Sequence, residues 1–225
     1  MKILGIETAT SVCAVGLVDE QNVLAAASED AGRRHSVVLT GLIDQALSEA
    51  GLDKRQIDGV AVSAGPGSFT GLRIGMGLAK GICLAGSIPL ALVSTLHALA
   101  VESAAPAVSI CGALDARHDQ LYAGVYKRDG EEWDVSLTDA GRPVDDVIRA
   151  LSPDTVVAGY GIEPYEDRLL AAGLKVIPSV APSGSSVALI GEQILLCDGG
   201  TSLGEAEPNY CRKSQAERLR AGERA

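Results

Sequence analysis

The sequence predicts an α/β protein built as two copies of one lobe, and three observations carry that prediction. The 225-residue chain is 47% apolar but only 3% aromatic, so its core must be assembled from Val, Leu, Ile and Ala, as in close helix–sheet packing. The order strand–strand–strand–helix–strand–helix reads twice along the chain. A carboxylate ends the first strand of each copy, Glu7 in one and Asp115 in the other.

In the first copy, residues 3–7 and 11–18 read as strands, the polar turn Asp19-Glu20-Gln21-Asn22 follows, and 23–27 completes a meander. Leu39, Leu42, Ile43, Ala46 and Leu47 fall at helical spacing, which predicts a helix over 36–50 with Gly51 as its stop. An apolar run at 59–64 gives a strand, 70–85 a second helix and 88–93 a further strand. Ser94 or Thr95 then caps the helix carrying Leu96, Leu99 and Val101. The second copy gives strands over 107–115, 120–127 and 133–137, a helix over 144–151 and a strand over 155–158. The stretch Ser103-Ala104-Ala105-Pro106 marks a boundary. Residues 1–104 are expected to form the N-terminal lobe and 105–204 the C-terminal lobe, with about 205–225 packing back on the first. Two such lobes enclose a cleft lined by the strand-end carboxylates.

Composition narrows the function. The formal charge is −10, whereas a chain whose main task is gripping phosphates is usually basic, so autonomous nucleic-acid binding is disfavoured. Five scattered cysteines without a Cys-x-x-Cys indicate neither a disulfide framework nor a zinc knuckle. No apolar stretch reaches bilayer length and Met1-Lys2 runs straight into a strand, which predicts a cytoplasmic protein without a membrane segment. His35, His97 and His118 form no helical ligand pair, so metal hydrolysis has no support. The charged run from Arg212 to Arg224 mixes both signs and reads as a solvated helix.

The sharpest local feature is Gly65-Pro66-Gly67-Ser68-Phe69-Thr70-Gly71-Leu72-Arg73-Ile74-Gly75, between a buried strand and a helix. Its glycines permit unusual backbone geometry, and Ser68 or Thr70 can cap the helix. It lacks the spacing of a Walker loop or a dinucleotide fingerprint. Two readings stand: a capped turn that lets the helix dock closely, or a helix start that, with Arg73, attracts a phosphate or carboxylate. Gly71, Gly75, Gly77 and Gly81 thin the second helix, which implies close backbone approach by a neighbour. Glu7 is followed by Thr8-Ala9-Thr10-Ser11, a turn that would meet phosphates in a phosphotransfer protein or simply bond through its hydroxyls. The second lobe has Asp115-Ala116-Arg117-His118 where a second phosphate clamp would need glycines. Asp115 and Arg117 are expected to pair there, which leaves a self-sufficient ATP site doubtful.

The duplicated order resembles the actin, Hsp70 and sugar-kinase (ASKHA) superfamily. Within it the chain resembles the TsaB (YeaZ) family of tRNA threonylcarbamoyladenosine biosynthesis. The likeness rests on Ile3-Leu4-Gly5-Ile6-Glu7-Thr8-Ala9-Thr10, Arg34-His35-Ser36, the eleven residues from Gly65 to Gly75, Leu114-Asp115-Ala116-Arg117 and Pro208-Asn209-Tyr210-Cys211-Arg212. Glu7 and Cys211 depart mildly from the family pattern, which more often has Asp and Leu there. The resemblance implies a non-catalytic subunit that pairs with a TsaD-like threonylcarbamoyltransferase as a heterodimer, is joined by a TsaE-like ATPase, self-associates as a homodimer when alone, and meets tRNA only indirectly. Carried onto this chain, the interface lies on the helices at 36–50 and 70–85. Ser36, Leu39, Ile43, Met76 and Lys80 join Gly65, Gly67, Ser68, Thr70 and Arg73 as partner- or anion-contact candidates. Glu7, Thr8 and Thr10 are the nucleotide-contact candidates; no cofactor is expected for the chain by itself, and ATP or ADP only within the complex. Two other readings compete: a small kinase or ATPase of the same superfamily, which tight Mg-ATP binding would support, and a metallopeptidase, suggested only by an old name in the wider family.

Overall fold

The computed structural model describes residues 1–130 and 132–211. Short β-branched and small residues give the first meander, β1 (Lys2–Glu7), β2 (Val12–Asp19) and β3 (Asn22–Asp30), then α1 (His35–Ala50), β4 (Gly59–Gly65), α2 (Phe69–Gly86), β5 (Leu90–Ser94) and α3 (Thr95–Glu102). The plan recurs in β6 (Ser109–Asp115), β7 (Gln120–Asp129), β8 (Glu132–Pro143), α4 (Val144–Ala150), β9 (Val156–Tyr160), α5 (Glu166–Ala171) and β10 (Lys175–Ile177), before α6 (Gly184–Asp198). The two five-stranded sheets run β3-β2-β1-β4-β5 and β10-β9-β6-β7-β8, so each strand of one copy has its counterpart at the same place in the other. In both, the first two strands are antiparallel and the crossover strand joins in parallel.

Helix ends follow local chemistry. Ser68 accepts from the Gly71 amide at 3.2 Å to cap α2, and Ser94 accepts from the Leu96 and His97 amides to cap α3. Gly51 closes α1 in the left-handed conformation at φ 65°. The apolar stripe Leu39, Leu42, Ile43, Ala46 and Leu47 seals one face of the first sheet together with Met76, Ala79 and Cys83 of α2.

The assignment of residues 105–204 to a single lobe is corrected by α6, which packs on β1, β2 and β4 of the first sheet. Glycines make this possible: a Cβ on Gly5 would collide with the Gly184 carbonyl, and one on Gly16 with the Ser185 amide. Conversely, α3 lies on β6 of the second sheet, where a Cβ on Gly112 would strike the Leu96 carbonyl. The lobes therefore exchange helices. Glu192 of α6 is 1% exposed and accepts from the amides of Glu20 (3.0 Å) and Gln21 (2.8 Å). It thereby holds the β2–β3 turn, whose two central residues have φ of 50° and 62°.

After α6 the chain runs along the first lobe. Thr201 donates to the Leu90 carbonyl, Ala206 enters the core and the Asn209 amide donates to the Ala64 carbonyl at 2.6 Å. The charged run from Arg212 to Arg224 lies outside the described residues. Among the described residues no helix is long and apolar enough to cross a membrane.

Candidate functional site

Between the lobes lies a cleft of about 940 Å³, walled by the β1–β2 turn, the start of α2, the β6–β7 turn and the tail at Asn209, Tyr210 and Cys211. At its edge Ser11 Oγ and the Tyr160 hydroxyl share a hydrogen bond of 2.9 Å, joining the two lobes. The strand-end carboxylates are placed unequally. Glu7 is fully buried and Asp115 is exposed. Glu7 Oε1 accepts from the Ala9 amide at 2.5 Å while its Oε2 has no partner among the described residues. Burial pushes its pKa up to about 7, against the opposing pull of the Ala9 and Ser63 hydrogen bonds.

Glu7 and Thr8 are therefore closed off from the cleft rather than presented to a nucleotide. Thr8 donates its hydroxyl to the Gly71 carbonyl at 2.9 Å, and Thr10, at the cleft edge, accepts from the Val12 amide. The signature is a docking turn. Gly67, Gly71 and Gly75 would each drive a Cβ into Ala9 or Thr8, so the start of α2 rests directly on the β1–β2 turn. Gly65, at φ 112°, is buried against Leu72 and the Asn209 carbonyl. Gly67, Ser68 and Thr70 line the cleft.

Arg73 is already engaged. Its guanidinium carbon lies 4.0 Å from the Phe69 ring centroid, its Nε donates to the Tyr210 hydroxyl at 2.8 Å, and the two rings are 4.9 Å apart. It is a strut for the tail rather than a free anion ligand. Lys80, half-buried, borders a second pocket of about 340 Å³ between α2 and that tail. Leu39, Ile43 and Met76 are 1%, 8% and 4% exposed, which corrects their place among the partner contacts: they face the core because the helical stripe they belong to covers the sheet. Ser36 is exposed at the first turn of α1.

The expected Asp115–Arg117 ion pair is also corrected. Asp115 accepts from the Arg117 amide (2.8 Å) and from the Tyr165 hydroxyl (3.1 Å), and no ion pair joins the two side chains among the described residues. Arg117 and, from the other lobe, Arg33 line the cleft instead, with Tyr122 and Tyr160. Nothing in the sequence pattern singles out Arg33, and no spacing rule marks the tyrosines.

A second site-sized feature is the outer face of α1 and α2. Val37 is 72% exposed, and Gly41, Gly77 and Gly81 are exposed with nothing within 4 Å of where a Cβ would stand. Ile74 and Leu78 lie half-buried beside them.

The protein-family model for TsaD, tRNA N6-adenosine threonylcarbamoyltransferase, matches residues 23–193. The chain is 31% identical over 228 residues to the tRNA threonylcarbamoyladenosine biosynthesis protein TsaB of Escherichia coli (strain K12), covering 96% of each. It is similar to the solved structure of a Pseudomonas aeruginosa protein described as having similarity to peptidase YeaZ, with a TM-score of 0.84 and 28% identity over 94% of this chain and 99% of that one. The ethanolamine utilization protein EutJ of Carboxydothermus hydrogenoformans shares the fold alone, at a TM-score of 0.51 and 12% identity over 85% of this chain and 90% of that one. The duplicated ASKHA architecture expected from the sequence is thereby shown.

Proposed function

The chain belongs to the TsaB (YeaZ) family of tRNA threonylcarbamoyladenosine biosynthesis proteins, and we propose that within that process it serves as the non-catalytic partner subunit of a TsaD-like threonylcarbamoyltransferase, working with a TsaE-like ATPase. The observation that carries this reading is the pair of outward glycines on α2. Each glycine inside a helix costs about 1 kcal/mol against alanine. For Gly71 and Gly75 the β1–β2 turn explains the cost, but Gly77 and Gly81 face open space. A helix of another protein can approach the α2 backbone closely there, with Ile74, Leu78 and Val37 supplying apolar contact. The same face serves a homodimer when the partner is absent.

The burial of Glu7 supports the non-catalytic half of the reading. The carboxylate that would help hold magnesium in a phosphotransfer protein is sealed away from the cleft and bonded to the Ala9 amide. With a net charge of −10, contact with tRNA passes through the partner, in the cytoplasm.

Native mass spectrometry of the full chain, alone and mixed with a TsaD-like protein of the same cell, tests this. The expected result is a homodimer that gives way to a defined heterodimer. Gly81→Arg abolishes both while the circular dichroism spectrum stays that of the wild type. Undiminished pairing by that variant removes the α2 face from the interface, and no association between two folded wild-type proteins overturns the subunit reading.

A further inference from the structure

Residues three and four apart share one face of a helix, so Arg73, Gly77 and Lys80 stand in a row along α2. With Glu207 and Tyr210 of the tail opposite, and buried Met76 beneath, they enclose a notch of about 340 Å³. Arg73 is held by Tyr210 through its Nε. Lys80 is half-buried, and among the described residues its ammonium has no hydrogen-bond or ion-pair partner. Glu207, the acid of the notch, is exposed and pairs with neither cation. In a chain of net charge −10 the notch is thus a local excess of positive charge, and Lys80 is the cation left for a partner.

The rest of the face carries the opposite sign. Helix α1 covers β2 and β3, α2 covers β4, and the tail runs beyond α2 along β5, where Thr201 donates to Leu90. Helix α2 therefore stands between the cationic notch and α1, on which Asp44 and Glu49 are exposed. Charge runs across the helix pair from negative at α1 to positive at the tail.

Symmetry gives this layout a consequence. A twofold pair presents the same patch from both sides. When α2 crosses its own copy antiparallel at Gly77 and Gly81, with unlike helix ends together, notch faces notch. That flank then holds the Arg73, Lys80 and Glu207 of each copy, an excess of cations in a rim from which water is displaced. Like charges so juxtaposed cost affinity, whereas a different protein is free to bring an acid to the same place.

We propose that Lys80 selects between partners, its ammonium taking a carboxylate presented by the TsaD-like protein and disfavouring a second copy of this chain. This rests on the partner reading above and names the chemistry by which that same surface tells its two occupants apart. Helix α2 supplies close approach through its glycines, and the notch beside it supplies the discrimination.

Dissociation constants of the homodimer, by sedimentation of the full chain, and of the heterodimer, by titration with the TsaD-like protein of the same cell, test it. Lys80→Met keeps the length of the side chain and removes its charge. It is expected to weaken the heterodimer by about tenfold or more, the scale of a lost interfacial charge pair, while the homodimer is unchanged or tighter. Lys80→Arg should pair as the wild type does. Raising NaCl from about 0.1 to about 1 M should close the gap between the wild-type and Lys80→Met heterodimers. Equal heterodimer affinity in wild type and Lys80→Met overturns the proposal, as does equal weakening of both assemblies, which would make Lys80 a packing residue only. A heterodimer that Gly81→Arg abolishes and Lys80→Met leaves intact overturns the selection by Lys80 and keeps the partner reading. Absence of any association between the folded wild-type proteins overturns both.

Discussion

Thr8 donates its hydroxyl to the carbonyl oxygen of Gly71 at 2.9 Å, and the backbone carbonyl of the same threonine occupies the place a Cβ on Gly71 would take. Sheet and helix meet backbone to backbone at this point. Gly71→Ala is therefore expected to destabilise the fold by about 1–3 kcal/mol through overpacking, outweighing the alanine's helix preference. Gly77→Ala, on the open face of the same helix, should stabilise by up to about 1 kcal/mol. Urea denaturation of the two variants gives the comparison; equal signs would contradict the packing described.

Two titrating groups, buried Glu7 and half-buried His97, have opposite effects on the pH dependence. The folded pKa of Glu7 is raised to about 7, so the unfolded chain ionises first and stability falls as pH rises from about 4.5 to 7. Burial lowers that of His97 to about 4, so its contribution is lost as pH falls from about 6.5 toward 4. Each is on the order of 3 kcal/mol, and over the shared window they offset one another. Glu7→Gln should leave a stability that climbs with pH across this range. His97→Phe, which keeps the stack on Tyr126 at 4.5 Å, should leave one that declines. Denaturation curves at pH 4.5, 5.5, 6.5 and 7.5 decide it, and parallel profiles in both variants would refute it.

Met76 is 4% exposed within the first core, so Met76→Glu buries a charge and is expected to unfold the lobe rather than merely block pairing. Loss of the far-ultraviolet dichroism at room temperature, or a melting temperature lower by more than about 10 °C, is the expected observation. A folded Met76→Glu protein would place that side chain outside the core.

Tyr210 fastens the tail through its hydrogen bond from Arg73 and its contact with Phe69. Tyr210→Ala should cost about 1–2 kcal/mol and speed exchange of the Asn209 amide, which bonds to Ala64. Hydrogen exchange followed by mass spectrometry reads both; unchanged protection at Asn209 would show that the tail is held elsewhere.

Local rules made much of this legible. The spacing of Leu39, Leu42 and Ile43 gave α1 and its buried face, which is why their assignment to a partner surface fails: one stripe cannot cover the sheet and face outward. Ser68 was readable as a cap because a hydroxyl precedes a helical run, and the docked reading of the glycine signature is the one its contacts with Thr8 and Ala9 satisfy. What escaped was non-local. Periodicity in α6 defines an apolar face but does not say which sheet covers it, and only the meeting of Gly184 with Gly5 and Gly16 decides. The left-handed turn at Arg117, His118 and Asp119 carries no glycine to announce it, and it is set by Arg168 and Val144 from elements far along the chain.

The seat of α6 on the first sheet orders events during synthesis. Strands β1 and β4 are made early, yet the side of the sheet bearing Ile3, Val18 and Ala61 is only partly covered, by Ala98 of α3, until Val187 and Ala188 emerge. The second lobe can pair all of its strands by Ile177, before that helix exists. The lobe translated first is thus the last to close.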